Sequence, residues 1–130
     1  MIQFVVALEC EARPLVNSLG LVRENSGGTF KVYSGNDCRL VVSGPGYALA
    51  AAATAYAGSM QADGPFQAGW LNIGVAGHPA LEVGRPILAD KVIDGILGQD
   101  WYPQLLFDWD GDTGPVRTVV APESQFDVGA

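Results

Sequence analysis

Residues 2–11 read Ile2-Gln3-Phe4-Val5-Val6-Ala7-Leu8-Glu9-Cys10-Glu11, and this stretch decides the fold class. Ile2 to Leu8 is an apolar run with β-branched Val5 and Val6. Continuous rather than alternating hydrophobicity predicts a strand covered on both faces. A helix follows from Glu9 to Leu19, because Leu8, Ala12, Leu15, Val16 and Leu19 recur at helical spacing and Gly20 is a natural stop. Pro14 fits only the first turn of a helix, which puts the start of the helix proper near Ala12 or Arg13.

The same alternation continues along the chain. Asn25-Ser26-Gly27-Gly28 is a loop; Thr29 to Ser34 and Arg39 to Ser43 are strands joined through Gly35-Asn36-Asp37 as a hairpin. Ser43-Gly44-Pro45-Gly46 is a tight turn into an Ala-rich helix, Tyr47 to Met60, which Asp63-Gly64-Pro65 ends. Trp70 to Ile73 is a short buried strand that runs into Gly74-Val75-Ala76-Gly77-His78-Pro79. Val83-Gly84 is a turn and Pro86 to Val92 a strand that Ile93 extends. Residues 95–115 read as an irregular excursion, Arg117 to Val120 as a last strand, and 121–130 as unstructured. The order β-α-β-β-α-β-β predicts an α/β fold: a three-layer α/β/α arrangement with a mixed central sheet, in a single domain over residues 1–130.

Composition narrows the function. The chain has 130 residues, 48% of them hydrophobic, and no apolar run approaches the roughly 20 residues of a membrane-spanning helix. A secretory signal is not expected, because the greasy run from Phe4 to Leu8 is short and Glu9 and Glu11 follow it. Fourteen acids against seven bases give a net charge of -7, and no basic run exists, so a nucleic-acid partner is not expected. The acidity is concentrated late, with eight of the fourteen acids in residues 90–130. The two cysteines, Cys10 and Cys38, form no C-x-x-C pair and His78 is the one histidine, so neither a disulfide framework nor a zinc site is expected. A reduced, cytoplasmic setting without metal or cofactor is the expectation. Asp108-Trp109-Asp110-Gly111-Asp112 fails as a calcium loop, since Thr113 and Val119 fall where Gly and Glu are needed. It reads as a solvated acidic loop.

Glycine is the outlier, with 17 residues where about 9 are usual. Three segments at the ends of predicted strands, where open α/β sheets form ligand crevices, carry the candidate chemistry. A carboxylate in Ala7-Leu8-Glu9-Cys10-Glu11, at a strand-to-helix junction, is placed either to take a proton from water or simply to favour a helix dipole. Ser43-Gly44-Pro45-Gly46 brings backbone N–H groups to an anion or sugar, or is a plain turn. It partly mimics a dinucleotide fingerprint, but Leu49 stands where the third small residue belongs. Asn72-Ile73-Gly74-Val75-Ala76-Gly77 offers peptide planes to a flat ring, or turns the chain.

In this order and spacing the three segments, with Leu81-Glu82-Val83-Gly84-Arg85-Pro86-Ile87-Leu88-Ala89-Asp90 after them, resemble the nucleoside phosphorylase/nucleosidase superfamily. The branch they resemble is that of the methylthioadenosine/S-adenosylhomocysteine nucleosidases and short phosphorylase-like bacterial proteins. The resemblance covers residues 1–94. It implies cleavage of a purine nucleoside's N-glycosidic bond, with Glu11 activating the attacking water. It also implies that Ser43, Gly44, Pro45 and Gly46 lie beside the sugar or nucleophile, and that Val75, Ala76 and Gly77 line the base pocket. The partners implied are a small-molecule nucleoside or purine base and further copies of the chain, as a dimer or higher homo-oligomer. Two acids in the first loop and no Arg in the Gly-rich turn favour hydrolysis over phosphorolysis. Alternatives are a phosphorylase using phosphate and a non-catalytic nucleoside- or base-binding module.

Three departures stand against the family pattern. Val75 replaces a small hydroxyl residue, and Arg85 replaces an Asp. The Asp/Glu-Met-Glu segment that grips the ribose and the later Asp that protonates the purine have no counterpart, for the only methionines are Met1 and Met60. A C-terminally truncated domain is therefore the expectation, with an active enzyme and a catalytically silent form both open.

Overall fold

The computed structural model describes residues 1–25, 27–61 and 67–120. The expected helix stop at Asp63-Gly64-Pro65 and the expected unstructured tail, 121–130, lie outside the described residues. The chain forms two compact units, Met1–Val75 and Ala76–Ala130.

The first unit is built on β1, Ile2–Val6, the middle of three parallel strands. Strand β4 (Cys38–Val42) lies on one side and β5 (Gly69–Ile73) on the other. Antiparallel β3 (Lys31–Ser34) and β2 (Val22–Arg23) extend the sheet beyond β4, giving the mixed order β2-β3-β4-β1-β5. Alternation along β1 serves two cores, as a strand covered on both faces must. Phe4 and Val6 pack with Leu40 and Ala12 of helix α1 (Glu9–Leu19). Val5 packs with Val32, Val41 and the Ala53 and Ala57 of helix α2 (Tyr47–Ser59). The two helices thus cover opposite faces, which makes the three layers expected from the sequence. The small side chains of Ala53 and Ala57 let α2 lie close to the sheet, and both are fully buried.

Helix α1 ends as expected: Gly20 takes the left-handed conformation (φ 62°), and the Leu21 N–H closes onto the Val16 carbonyl at 2.9 Å. Its start differs from the expectation. The helix begins at Glu9, so Pro14 lies inside it rather than in its first turn. Pro14 has no N–H for the carbonyl of Cys10 four residues back, so the first turn is tied to the second by one bond fewer. Tertiary contacts of that first turn make good the loss, as described below.

The second unit is a three-stranded sheet in the order β7-β6-β8. Its members are β6 (Ile87–Asp94), β7 (Asp100–Trp101) and β8 (Asp112–Thr118). Strands β6 and β8 are parallel, with an irregularity between Ala89 and Lys91. Residues 95–115 are therefore less irregular than their composition suggests, and the last strand starts at Asp112 rather than Arg117. Pro115 obscures that strand in the sequence, but β8 is an edge strand of this sheet, where a missing N–H is tolerated. Val22–Arg23 has the opposite problem: two residues carry no periodicity, and only pairing with Ser34 and Tyr33 makes them a strand.

Candidate functional site

The carboxyl ends of β4, β1 and β5 lie side by side, because those strands are parallel neighbours. Each feeds one of the three glycine- or acid-bearing segments. Backbone bonds tie the first two together: the Ser43 N–H reaches the Val6 carbonyl and the Gly44 N–H the Ala7 carbonyl, both at 2.9 Å. The turn between them and α2 needs its glycines. Gly44 has φ 86° and Gly46, which precedes the helix, has φ 90°, a region that L side chains rarely adopt. A methyl group on Gly44 would also stand 2.9 Å from Leu49 Cδ1. Ser43 is buried, and its hydroxyl donates to the Gly44 carbonyl at 2.8 Å; Pro45 and Gly46 are exposed.

Glu11 joins the first segment to the third. Its Oε2 accepts the Leu8 N–H at 3.0 Å, which satisfies a free donor at the start of α1. Its Oε1 accepts the Val75 N–H at 2.9 Å, just beyond β5. Gly74 lies against this carboxylate: a Cβ there would stand 3.5 Å from Oε1, an ordinary van der Waals contact. A carboxylate oxygen accepts more than one hydrogen bond, so both oxygens retain capacity for a water or a hydroxyl. The arrangement orients a half-buried carboxylate at the end of the central strand, where it can receive a proton from a bound water.

Glu9 takes a different course. Successive helical residues turn about 100° around the axis, so two residues apart place side chains on nearly opposite sides. Glu9 reaches outward to β3, where Oε1 accepts the Tyr33 hydroxyl and Oε2 lies 3.5 Å from Lys31 Nζ. The Tyr33 hydrogen bond, helped by the Lys31 charge, holds the Glu9 carboxyl below its ordinary range. The same bond, with burial, raises the Tyr33 phenol. The two acids of the first loop thus divide across the sheet, one paired with a cation and one presented at the strand ends.

Val75 closes the first unit and is 87% exposed. Ala76 and Gly77 are the first residues of the second unit and are exposed. His78 has a structural role: Nδ1 accepts the N–H groups of Ala80 (3.0 Å) and Leu81 (2.9 Å). Cys10 and Cys38 are free thiols, and among the described residues no three His, Cys, Asp or Glu side chains cluster as metal ligands. The Gly74 approach and the Tyr33 contact were not among the site residues expected from the sequence. Gly74 was legible in the Gly-rich run; Tyr33 was not, since 24 residues separate it from Glu9.

Among solved structures the chain is similar to the S-adenosylhomocysteine nucleosidase of Streptococcus pyogenes, determined in complex with 5-methylthiotubericidin. The TM-score is 0.65 at 19% sequence identity, over 92% of this chain and 63% of that one. The fold is therefore nucleosidase-like, and the chain spans less than two thirds of the length of the structure it matches. No protein-family model matches the sequence, and no curated protein matches it. No helix among the described residues is long and apolar enough to cross a membrane.

Proposed function

We propose that this chain cleaves the N-glycosidic bond of a purine nucleoside by hydrolysis, with Glu11 as the water activator. One observation carries the reading: the Glu11 carboxylate is oriented by two backbone N–H groups at the carboxyl ends of parallel strands, in a nucleosidase-like fold. Water attacks the anomeric carbon as the bond to the purine nitrogen breaks. Glu11 takes the water's proton, and its negative charge faces the positive charge that develops on the ribose. The purine leaves with the bonding electrons and takes a proton from solvent. Ser43, Gly44, Pro45 and Gly46 are assigned to the sugar side, and Val75 to the base.

Purified protein incubated with methylthioadenosine should release free adenine, followed by chromatography. Glu11→Gln should lower the rate by about a hundred- to ten-thousandfold, the usual worth of a general base. No adenine from the wild-type protein, or equal rates for both, refutes the reading.

Two alternatives rest on particular observations. The Glu9 charge is paired with Lys31, so the repulsion against a phosphate nucleophile falls on Glu11 alone. This favours testing phosphorolysis, in which added phosphate accelerates the release and a sugar phosphate accumulates. The Leu8 and Val75 N–H groups on Glu11 also suit a structural carboxylate in a non-catalytic binding module. That module would show ligand-dependent thermal stabilisation without turnover. A single domain over 1–130, a cytoplasmic setting and a homo-oligomer belong to the same proposal. The last is supported by helix α2, which has no charged residue and leaves Tyr47 and Leu49 exposed.

A further inference from the structure

We propose that Tyr33 is a positioning residue for Glu11: its hydroxyl anchors Glu9 and so fixes the first turn of α1 in the orientation that presents Glu11 to Val75. The inference rests on the reading of Glu11 as the water activator, but its structural half stands on separate observations.

Within the helix the first turn of α1 is held by the Leu8 carbonyl, which accepts the Glu11 and Ala12 N–H groups, and by Glu11 Oε2 on the Leu8 N–H. Leu8, at the N-cap, has no side-chain oxygen to cap it, and Pro14 deprives the Cys10 carbonyl of its donor. Two carboxylates hold it from outside. Glu9 is bound to Tyr33 of β3, and Glu11 to the Val75 N–H beyond β5. Because the two side chains leave the same turn on nearly opposite sides, rotating the turn moves both. Fixing Glu9 therefore fixes Glu11.

Tyr33 is suited to be the fixed point. It lies opposite Leu40 in the β3–β4 register, and its ring packs against the cluster of Phe4, Val6 and Leu40. Its phenol is thus held by the sheet rather than by a flexible stem. Lys31, two residues earlier on the same face, adds an ion pair, but its side chain is 49% exposed and solvent screens it. The lowered Glu9 carboxyl and raised Tyr33 phenol agree with a hydrogen bond that counts in both partners.

The Val75 amide gives a readout independent of turnover. In ¹⁵N-labelled protein, Tyr33→Phe should speed hydrogen exchange at Val75 by about tenfold, the upper worth of one hydrogen bond, and shift its resonance upfield. Exchange at Val41, in the core of β4, should stay unchanged. Glu9→Ala should act like Tyr33→Phe, whereas Glu9→Gln, which keeps an oxygen for the phenol, should restore the wild-type signal. With methylthioadenosine, Tyr33→Phe should lower kcat by about ten- to a hundredfold with little change in KM, since misplacement of a catalytic group has that effect. An unchanged Val75 amide in Tyr33→Phe overturns the proposal. Wild-type protein without turnover overturns the functional reading alone, and the Val75 amide still decides the anchor.

Discussion

Replacing Gln3 with methionine should stabilise the protein. Gln3 is fully buried in β1, the central strand, and among the described residues neither its Oε1 nor its Nε2 has a hydrogen-bond partner. Its register partners are Arg39 on β4 and Trp70 on β5. Alternation puts its side chain on the α2 face with Val5, where Trp70 packs. Among the described residues the Arg39 Nε and Nη1 are likewise buried without hydrogen bonds, and Glu24 stands 3.7 Å from Nε. Arg39 Nε and Nη1 therefore donate nothing to the Gln3 Oε1, and a guanidinium has no acceptor for the amide N–H groups. Each buried, unpaired polar group costs about 1–3 kcal/mol. Methionine matches glutamine in length and lack of branching and packs without needing a partner. Removing two such groups should yield at least about 2 kcal/mol, and for a chain of this size each kcal/mol moves Tm by roughly 3–5 °C. The assay is thermal unfolding followed by circular dichroism, with Gln3→Ala as a control that adds a cavity. A Gln3→Met protein that melts below wild type refutes the reasoning, because the amide would then have partners worth more than the apolar replacement, an ordered water among them.

Acid and alkali should each remove the Glu9–Tyr33 contact. Glu9 titrates below its ordinary 4.5 when folded, so its contribution is full above that value and is lost as pH falls through the folded pKa. Tyr33 titrates above its ordinary 10.0 when folded, so its contribution is full below that value and is lost as pH rises through the folded pKa. Urea midpoints measured across both windows should show two losses in wild type, the acid one absent in Glu9→Gln, and in Tyr33→Phe the alkaline one absent and the acid one reduced to the part due to Lys31; equal profiles for all three would count against the contact. Gly44→Ala should cost about 1–3 kcal/mol of stability, the usual worth of a strained backbone residue, since its φ of 86° suits only glycine and Leu49 must turn aside. A Gly44→Ala variant as stable as wild type in urea would show that this turn relaxes freely.

The layers were legible in the sequence because burial leaves a local trace. An apolar run at Ile2–Val6 needs cover on both sides, and helical spacing from Glu9 to Leu19 and an Ala-rich stretch from Tyr47 supply it. Glycines at positions 20, 44 and 46 marked the bends, because positive φ is a property of the residue at that position. Strand β8 was obscured by Gly114 and Pro115, whose propensities are set aside by pairing with β6. The start of α1 was misplaced because its early turns are stabilised from outside the helix.

The site divides in the same way. A carboxylate in the first loop and the two glycine-bearing bends could be named from residue type and spacing, and the family resemblance pointed to Glu11. Which of the first loop's acids faces β5 could not, because it depends on the angle at which α1 leaves the sheet. Only the tertiary structure brings Tyr33 to Glu9 and Val75 to Glu11, across sequence separations of 24 and 64 residues. Hydrogen bonds between segments that distant leave no periodic mark, since they follow from how strands order in the sheet rather than from any local preference of the chain.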